Sequence, residues 1–379
     1  MNLVPEALVS SSRKRTIGIL PEKRDAKIVT LLEDWYLREQ RRLPFRVGKN
    51  AYATWVSEVM LQQTQVKTVV PYFERWMAEF PTVQALAAAT EKQVLALWQG
   101  LGYYSRGRNL HVAAKRILAE YSGTLPQDPA LLLKLPGIGR YTAGAIASIA
   151  YDVPAPILDG NVIRVLSRLD ARRGDPHKRE NSAALWDRAR QLVEKSHPAR
   201  FNQALMELGA LVCTPKHPTC TLCPVLRHCI AGTQGLAEQL PELAKRPKTQ
   251  KRHVTLLFAT RHGKVLLRQQ PEGSTHWEKL YVLPYVETES GSAKKRCAEA
   301  RAFAQTLSAK AELVATQPVA KLTYPITRFR FDAIAYEVTN VPSGSRAGKY
   351  HSLAELEQLA LPAPHRKIVN QLLARRPAR

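Results

Sequence analysis

Residues 135–150 read LPGIGRYTAGAIASIA. Leu135 and Pro136 end one segment, Gly137-Ile138-Gly139 turns the chain tightly, and a small-residue apolar run opens a helix. Two glycines spaced by one apolar residue leave the turn without side chains. Backbone N–H groups there can approach a phosphate, helped by the positive end of the following helix. A helix–helix turn with no ligand would show the same local pattern.

Outward from this turn the periodicity stays helical. Ile28, Leu31, Leu32 and Trp35 recur at helical spacing from about Lys27. Thr90 and Gln93 form a capping box that opens EKQVLALW. Pro126, Pro136, Pro154 and Pro156 punctuate the loops, and no alternating strand pattern is convincing before Cys213. We therefore expect an all-α domain over residues 27–232, preceded by a loose basic tail, residues 1–26. In the tail, Arg13-Lys14-Arg15 reads as a solvated end rather than a phosphate-gripping arm. The start of the chain has no apolar core with a cleavage site, and no run of about eighteen apolar residues follows, so neither a secretory signal nor a membrane span is expected.

Residues 233–252 are polar, basic and proline-containing, and read as a linker. Beyond them the period changes. Val254–Thr260 and Val265–Gln269 are β-rich runs joined by the hairpin signal Arg261-His262-Gly263-Lys264. Lys294–Leu307 reads as a helix, and Thr327–Val338 as a strand with Phe329, Phe331, Ala333 and Ala335 on one face. The expectation is an α+β domain over residues 253–375.

The 379 residues carry 56 Lys and Arg against 32 Asp and Glu, a net charge of +24. This imbalance implies a polyanionic partner, because each cation docked on a phosphate releases a condensed counterion. Nucleic acid fits better than an acidic membrane, since no basic amphipathic helix stands out. Of five cysteines, four lie together, Cys213, Cys220, Cys223 and Cys229, spaced C-x6-C-x2-C-x5-C. A loop this short wraps one metal centre. Zinc sites usually bring two close cysteine pairs, and here there is one, whereas an iron–sulfur cluster tolerates the wider arms. Zinc and a pair of disulfides remain alternatives on spacing alone. The scarcity of other cysteines indicates a reducing compartment.

Three further stretches carry candidate chemistry. In WVSEVMLQQT (residues 55–64), Glu58 lies among Trp55, Val56, Val59, Met60 and Leu61. A buried carboxyl has its pKa raised and can serve as a general acid near neutrality. Spacing alone favours instead a surface glutamate on the polar edge of an amphipathic helix. In ILDGNV (residues 157–162), Asp159 precedes the helix VIRVLSRL, whose positive end favours an ionised carboxylate. Two carboxyls tuned in opposite directions could divide acid and anionic roles, although a plain N-cap explains Asp159 as well. In GLGYYSRGRN (residues 100–109), tyrosine could stack at a base step while arginine holds phosphate, or the tyrosines could pack a loop core.

Together these motifs closely resemble the MutY-type adenine DNA glycosylases of the endonuclease III superfamily, helix-hairpin-helix enzymes of the iron–sulfur type. The match is ordered over roughly residues 40–230 and includes LPFR (residues 43–46), WVSEVMLQQTQV, WQGLGYYSRGRNL, LPGIGRYTAGAI, LDGNVIRVLSR and the cysteine loop. The resemblance implies removal of adenine mispaired with 8-oxoguanine or guanine in double-stranded DNA, during base excision repair. Glu58 would protonate the extruded adenine. Asp159 would stabilise the sugar oxocarbenium, with a transient covalent bond as one route, and Asn161 would help position these groups. Tyr141 stands where strand-cleaving relatives carry a Schiff-base lysine, so base removal without lyase chemistry is implied. Gln62, Gln63 and Tyr104 would probe the duplex, and Gly137 and Gly139 would hold phosphate. Lys216, His217, Arg227 and His228 would add basic contacts. The resemblance also implies one 4Fe-4S cluster on Cys213, Cys220, Cys223 and Cys229. We expect a monomer, and with no targeting signal in view a nucleoid-associated cytoplasmic location, or a nuclear one in a eukaryote.

The second domain resembles the Nudix-like region of the same family, beginning with LLRQQPEG (residues 266–273) and KLYVLP (residues 279–284). Lys294–Leu307 lacks the metal-binding REx2EE run of active Nudix hydrolases, which argues against nucleotide hydrolysis. In the family this domain senses 8-oxoguanine through a Phe-Ser-His loop. Here the aligned residues are Ile326-Thr327-Arg328, and Arg328 could donate to an oxidised guanine or hold phosphate.

Overall fold

The computed structural model describes residues 21–245, 247–288, 291–344 and 346–375. The expected tail residues 1–20, with their Arg13-Lys14-Arg15 triplet, lie outside these. The chain divides into two units, one of residues 1–41 and 152–243, the other of residues 42–151 and 244–379.

The first unit is helical. The helix Pro21–Glu39 packs on Pro198–Leu211, which in turn packs on Gly160–Leu169, with Arg179–Val193 alongside. Ile28, Leu32, Phe201, Leu205, Leu208 and Leu166 are fully buried among them. Each such side chain contributes about 1.5–3 kcal/mol relative to staying in water. The first helix begins earlier than the apolar pattern suggested, and the reason is polar. Asp25 is buried and accepts two 2.6 Å bonds from Arg188, whose Nε donates to Asp170 at 2.8 Å. Arg24 donates to the carbonyls of Leu169 and His228. A charged first turn thus anchors the helix, which hydrophobic periodicity alone does not register.

In the second unit, Ala51–Leu61 is the central helix. Tyr52 through Met60 are all buried, and the helix packs on Arg140–Tyr151 and Val66–Glu79. A helix buried on every side belongs inside a helical domain. Asn50 caps it by accepting from the Ala53 N–H at 3.0 Å. The Thr90/Gln93 capping box forms at the start of Glu91–Trp98. The short helix Pro129–Leu132, the turn at residues 135–139 and the helix Arg140–Tyr151 follow one another as the glycine pattern predicts.

The α+β part of this unit has nine strands among the described residues: β1 (Gln250–Phe258), β2 (Thr260–Arg261), β3 (Lys264–Gln269), β4 (Tyr281–Val282), β5 (Tyr285–Thr288), β6 (Glu312–Leu313), β7 (Ala320–Ile326), β8 (Phe329–Thr339) and β9 (Lys349–His351). One sheet runs β5-β1-β8-β6 with β7 also on β8, and β3 carries β2, β4 and β9 in a second. β1 and β8 are parallel, and the other pairs are antiparallel. The β2–β3 hairpin turns at His262-Gly263, both with positive φ (49° and 72°), as a two-residue turn of this hand requires. Phe331, Ala333 and Ala335 share one buried face with Phe258, Ile368 and Leu372. The opposite face buries Leu257, Ile334 and Tyr336 against Ala300 and Ala304 of the helix Ala293–Leu307. Two corrections follow. The strand expected from Thr327 begins at Phe329, because Thr327 (φ 50°) and Arg328 form the two-residue turn from β7. β1 begins at Gln250, inside the expected linker, because parallel pairing with β8 extends it.

Candidate active site and cysteine centre

Glu58 sits in the middle of the central helix and is only 7% exposed. The surface-edge reading of this residue fails, because the helix has no solvent edge there. The Tyr141 hydroxyl donates to Glu58 Oε2 at 2.5 Å, which joins the central helix to the first turn of Arg140–Tyr151. From the same two elements, Gln62 Nε2 donates to Thr142 Oγ1 at 3.3 Å. Gln63 is exposed and left-handed, with φ 58°.

At the turn, Gly137 has φ 77°, and a Cβ there would stand 2.6 Å from Asn109 Cβ. Gly139 has open space where its Cβ would be. Gly137, Gly139 and Arg140 are exposed while Ile138 is buried, so the turn is pinned by one apolar side chain and presents backbone outward. That arrangement suits an anion at the start of a twelve-residue helix.

The aromatic segment requires a correction. Tyr104 is buried, and its hydroxyl donates to the Leu361 carbonyl at 2.9 Å. Burial pushes its pKa up to about 12. It cannot stack at a base step without leaving the core. The exposed tyrosine is Tyr103, 46% accessible with φ 46°. Nor does Arg106 hold phosphate. It is buried, burial lowers its pKa to about 10, and its guanidinium donates to main-chain carbonyls. Arg108 is engaged by the Glu278 carbonyl at 3.0 Å and its carboxylate at 3.5 Å. A run of Gly, Tyr and Arg gave no signal that separates the two tyrosines, because which one faces inward depends on the positive φ at Tyr103.

In the first unit, Asp159 is the N-cap of Gly160–Leu169 and accepts from the Val162 N–H at 2.7 Å. Asn161 Nδ2 donates to its other oxygen at 3.1 Å, and Arg164 holds Asn161 Oδ1 at 2.8 Å. The sequence pointed to a lowered pKa. Instead, burial raises the Asp159 pKa and outweighs the Val162 and Asn161 hydrogen bonds and the Arg164 charge.

Cys213, Cys220, Cys223 and Cys229 line one void together with Arg168, Val212, Leu226, Gly232 and Ala237. All are free, so the disulfide alternative fails. Among the described residues no group of three or more His, Cys, Asp or Glu that could hold a metal ion is found. Four sulfur donors around one void fit an iron–sulfur cluster and would accept zinc as well. Burial pushes Cys223 up to about 12 and also raises Cys220 and Cys229, so thiolates there need a compensating cation. Arg168 donates to Cys213 Sγ at 3.3 Å, and the Gly232 N–H to Cys229 Sγ at 3.3 Å. Lys216 and Arg227 beside the cysteines are exposed, whereas His217 is paired with Glu238 at 3.0 Å. His228 is half-buried, its carbonyl taken by Arg24.

Arg328 is exposed at the β7–β8 turn. Its guanidinium lies 5.0 Å from the Phe329 ring centroid, and Arg252 lies at the same distance from that ring. The Gln250 N–H donates to the Arg328 carbonyl at 3.0 Å, which ties the turn to β1.

A glycine turn opening a buried helix, a carboxyl inside the helical core and a four-cysteine loop define the class of helix-hairpin-helix base-excision proteins. The profile described as HhH-GPD superfamily base excision DNA repair protein matches residues 56–191, and a NUDIX domain profile matches residues 254–371. The adenine DNA glycosylase of Buchnera aphidicola subsp. Acyrthosiphon pisum (strain APS) is 35% identical over 255 residues, 67% of this chain and 73% of that protein. The adenine DNA glycosylase of Rattus norvegicus is 51% identical over 222 residues, 55% of this chain and 43% of that protein. The chain spans less than half the length of the mammalian relatives it matches. A thermostable thymine-DNA glycosylase shares the fold, with a TM-score of 0.51 at 24% identity over 56% of this chain and 98% of that one. The chain belongs to the MutY-type adenine DNA glycosylase family. Among the described residues no helix is long and apolar enough to cross a membrane.

Proposed function

We propose that the protein removes adenine paired with 8-oxoguanine or guanine from double-stranded DNA by cleaving the N-glycosidic bond. The observation that carries this reading is the buried Glu58 carboxyl held by the Tyr141 hydroxyl. Glu58 passes a proton to a ring nitrogen of the extruded adenine. The bond to C1′ then breaks with its electron pair leaving on the base. The Asp159 carboxylate stabilises the oxocarbenium that remains, and Asn161 fixes that carboxylate. Water adds at C1′ and gives its proton to a carboxylate. Tyr141 offers no amine, so no Schiff base forms and the strand stays intact. Mispairing lowers the cost of extruding the base.

Gln62, Gln63 and Tyr103 engage the duplex, with Tyr103 in place of Tyr104. Gly137, Gly139 and Lys216 meet phosphate. Residues 253–375 form a lesion-sensing module in which Arg328, exposed at a turn, faces the oxidised base. Cys213, Cys220, Cys223 and Cys229 would hold a 4Fe-4S cluster, whose contribution when bound is to cross-link its loop and shape a DNA-docking surface. The enzyme acts as a monomer where chromosomal DNA lies, in a nucleoid or a nucleus.

The test is incubation of purified protein with an A:8-oxoguanine duplex, with and without hot alkali. Strand scission only after alkali supports base removal alone. Scission without alkali would mark a lyase, and no scission in either arm would remove the proposal.

A further inference from the structure

Arg106 sits on the helix Ser105–Tyr121, buried, with no carboxylate among its hydrogen-bond partners. Its charge is met by carbonyl oxygens. Nη1 donates to Val59, Met60 and Gln62 at 2.9, 3.0 and 2.5 Å. Nη2 donates to Leu101 and Gly102 at 3.1 and 3.2 Å, and to Thr64 Oγ1 at 3.3 Å. The first group is the negative end of the Glu58 helix, where a cation is favoured. The second is the corner that leads into Ser105–Tyr121. Two of these carbonyls, Gln62 and Gly102, immediately precede Gln63 and Tyr103. Those two residues are exposed, and both hold positive φ, 58° and 46°. The guanidinium also lies 5.6 Å from the Tyr103 ring centroid and 5.3 Å from that of Trp98. Trp98 Nε1 donates to the same Gly102 carbonyl at 3.0 Å.

We infer that Arg106 is a positioning residue for mispair recognition: one planar fork locks the peptide before Gln63 to the peptide before Tyr103, and so fixes the two as a single duplex-probing unit. A lysine cannot do this, because an ammonium is a point donor without the two-armed fork. The inference rests on the proposed action on DNA, and concerns which residues set its selectivity.

The test is a double-mutant cycle read as selectivity, the ratio of duplex affinity for A:8-oxoguanine over A:T. Arg106→Lys is measured in the wild-type chain and in the Gln63→Ala/Tyr103→Ala background. Residues acting as one unit are coupled, so Arg106→Lys should cost about tenfold in the wild type and less than about twofold in that background. A merely structural arginine would cost the same factor in both, and equal loss in the two backgrounds overturns the inference, as does no loss in the wild type. If Arg106→Lys fails to fold, Gly102→Ala replaces it. Gly102 has φ 73° and open space at its Cβ position, so alanine strains the corner and turns its carbonyl without stranding the buried charge. The same coupled or equal losses then decide. A wild-type protein with no preference for the mispair ends both the inference and the proposed function. A wild type that prefers the mispair, with equal losses in the cycle, ends the inference alone.

Discussion

At the scale of single residues, the proposed chemistry separates cleanly from stability. Glu58→Gln keeps the shape and the Tyr141 hydrogen bond but has no acidic proton, so adenine release should fall by about 10²–10⁴-fold while duplex affinity persists. Undiminished release, measured under single turnover, would clear Glu58 of the acid role. Asp159→Asn behaves differently. Asparagine caps a helix about as well as aspartate, and burial makes the charged form of Asp159 a cost to the fold. Thermal unfolding should therefore show no loss of stability while excision is lost. Because Asp159 works as an anion and its pKa is raised, excision should weaken on acidification at a pH above the ordinary aspartate value of about 3.9. Asn161→Val removes a bond that lowers that pKa, so the acid limb should move to still higher pH. A limb that stays in place would show that Asn161 does not tune it. Not all of this was legible in the sequence. The motif named Glu58 and Asp159, yet local spacing put Glu58 at an edge and Asp159 in its ionised form. Desolvation keeps Glu58 off the edge and raises the Asp159 pKa, and it comes from helices distant in sequence.

At the scale of elements, the turn at residues 135–139 was the most legible part of the chain, because glycine chemistry is local. Its two glycines should nevertheless fail in different ways. Gly137→Ala meets positive φ and a 2.6 Å approach to Asn109, and should destabilise the fold by roughly 1–2 kcal/mol. Gly139→Ala meets open space, so its melting temperature should match the wild type while duplex affinity drops. Equal affinities would show that phosphate does not approach this backbone. The strands were partly legible. The His262-Gly263 turn is written in two residues, but β7 was missed, although Ala320, Leu322, Tyr324 and Ile326 alternate along it. Pro325 within it argues against a strand on local grounds, and pairing with β8 identifies it. Parallel pairing of β1 with β8, between residues about eighty apart in sequence, leaves no local mark either.

For the whole molecule, a charge of +24 predicts steep salt dependence of duplex binding. Each phosphate neutralised contributes about −0.9 to the slope of log K against log salt. A slope near zero would contradict nucleic acid as the partner. The first unit makes a second prediction. Asp25 titrates below its ordinary value: desolvation would raise it, but the Arg188 bond and charge more than compensate. Its contribution to stability is therefore complete above the unfolded pKa and is lost as pH falls through the folded one. Asp25→Asn leaves the buried guanidinium with Asp170 as its one remaining carboxylate and should cost about 1–3 kcal/mol at neutral pH, with the difference from wild type shrinking in acid.

That pair spans a chain that leaves its unit and comes back. Residues 21–41 are made before their companions at residues 152–243, which emerge only after the whole intervening stretch 42–151. During synthesis the opening helix must wait with Ile28, Leu32 and Trp35 uncovered, at risk of adhering to whatever apolar surface lies nearby. Deleting residues 21–26 would accordingly damage a loop two hundred residues downstream, since Arg24 grips the carbonyl of His228 next to Cys229.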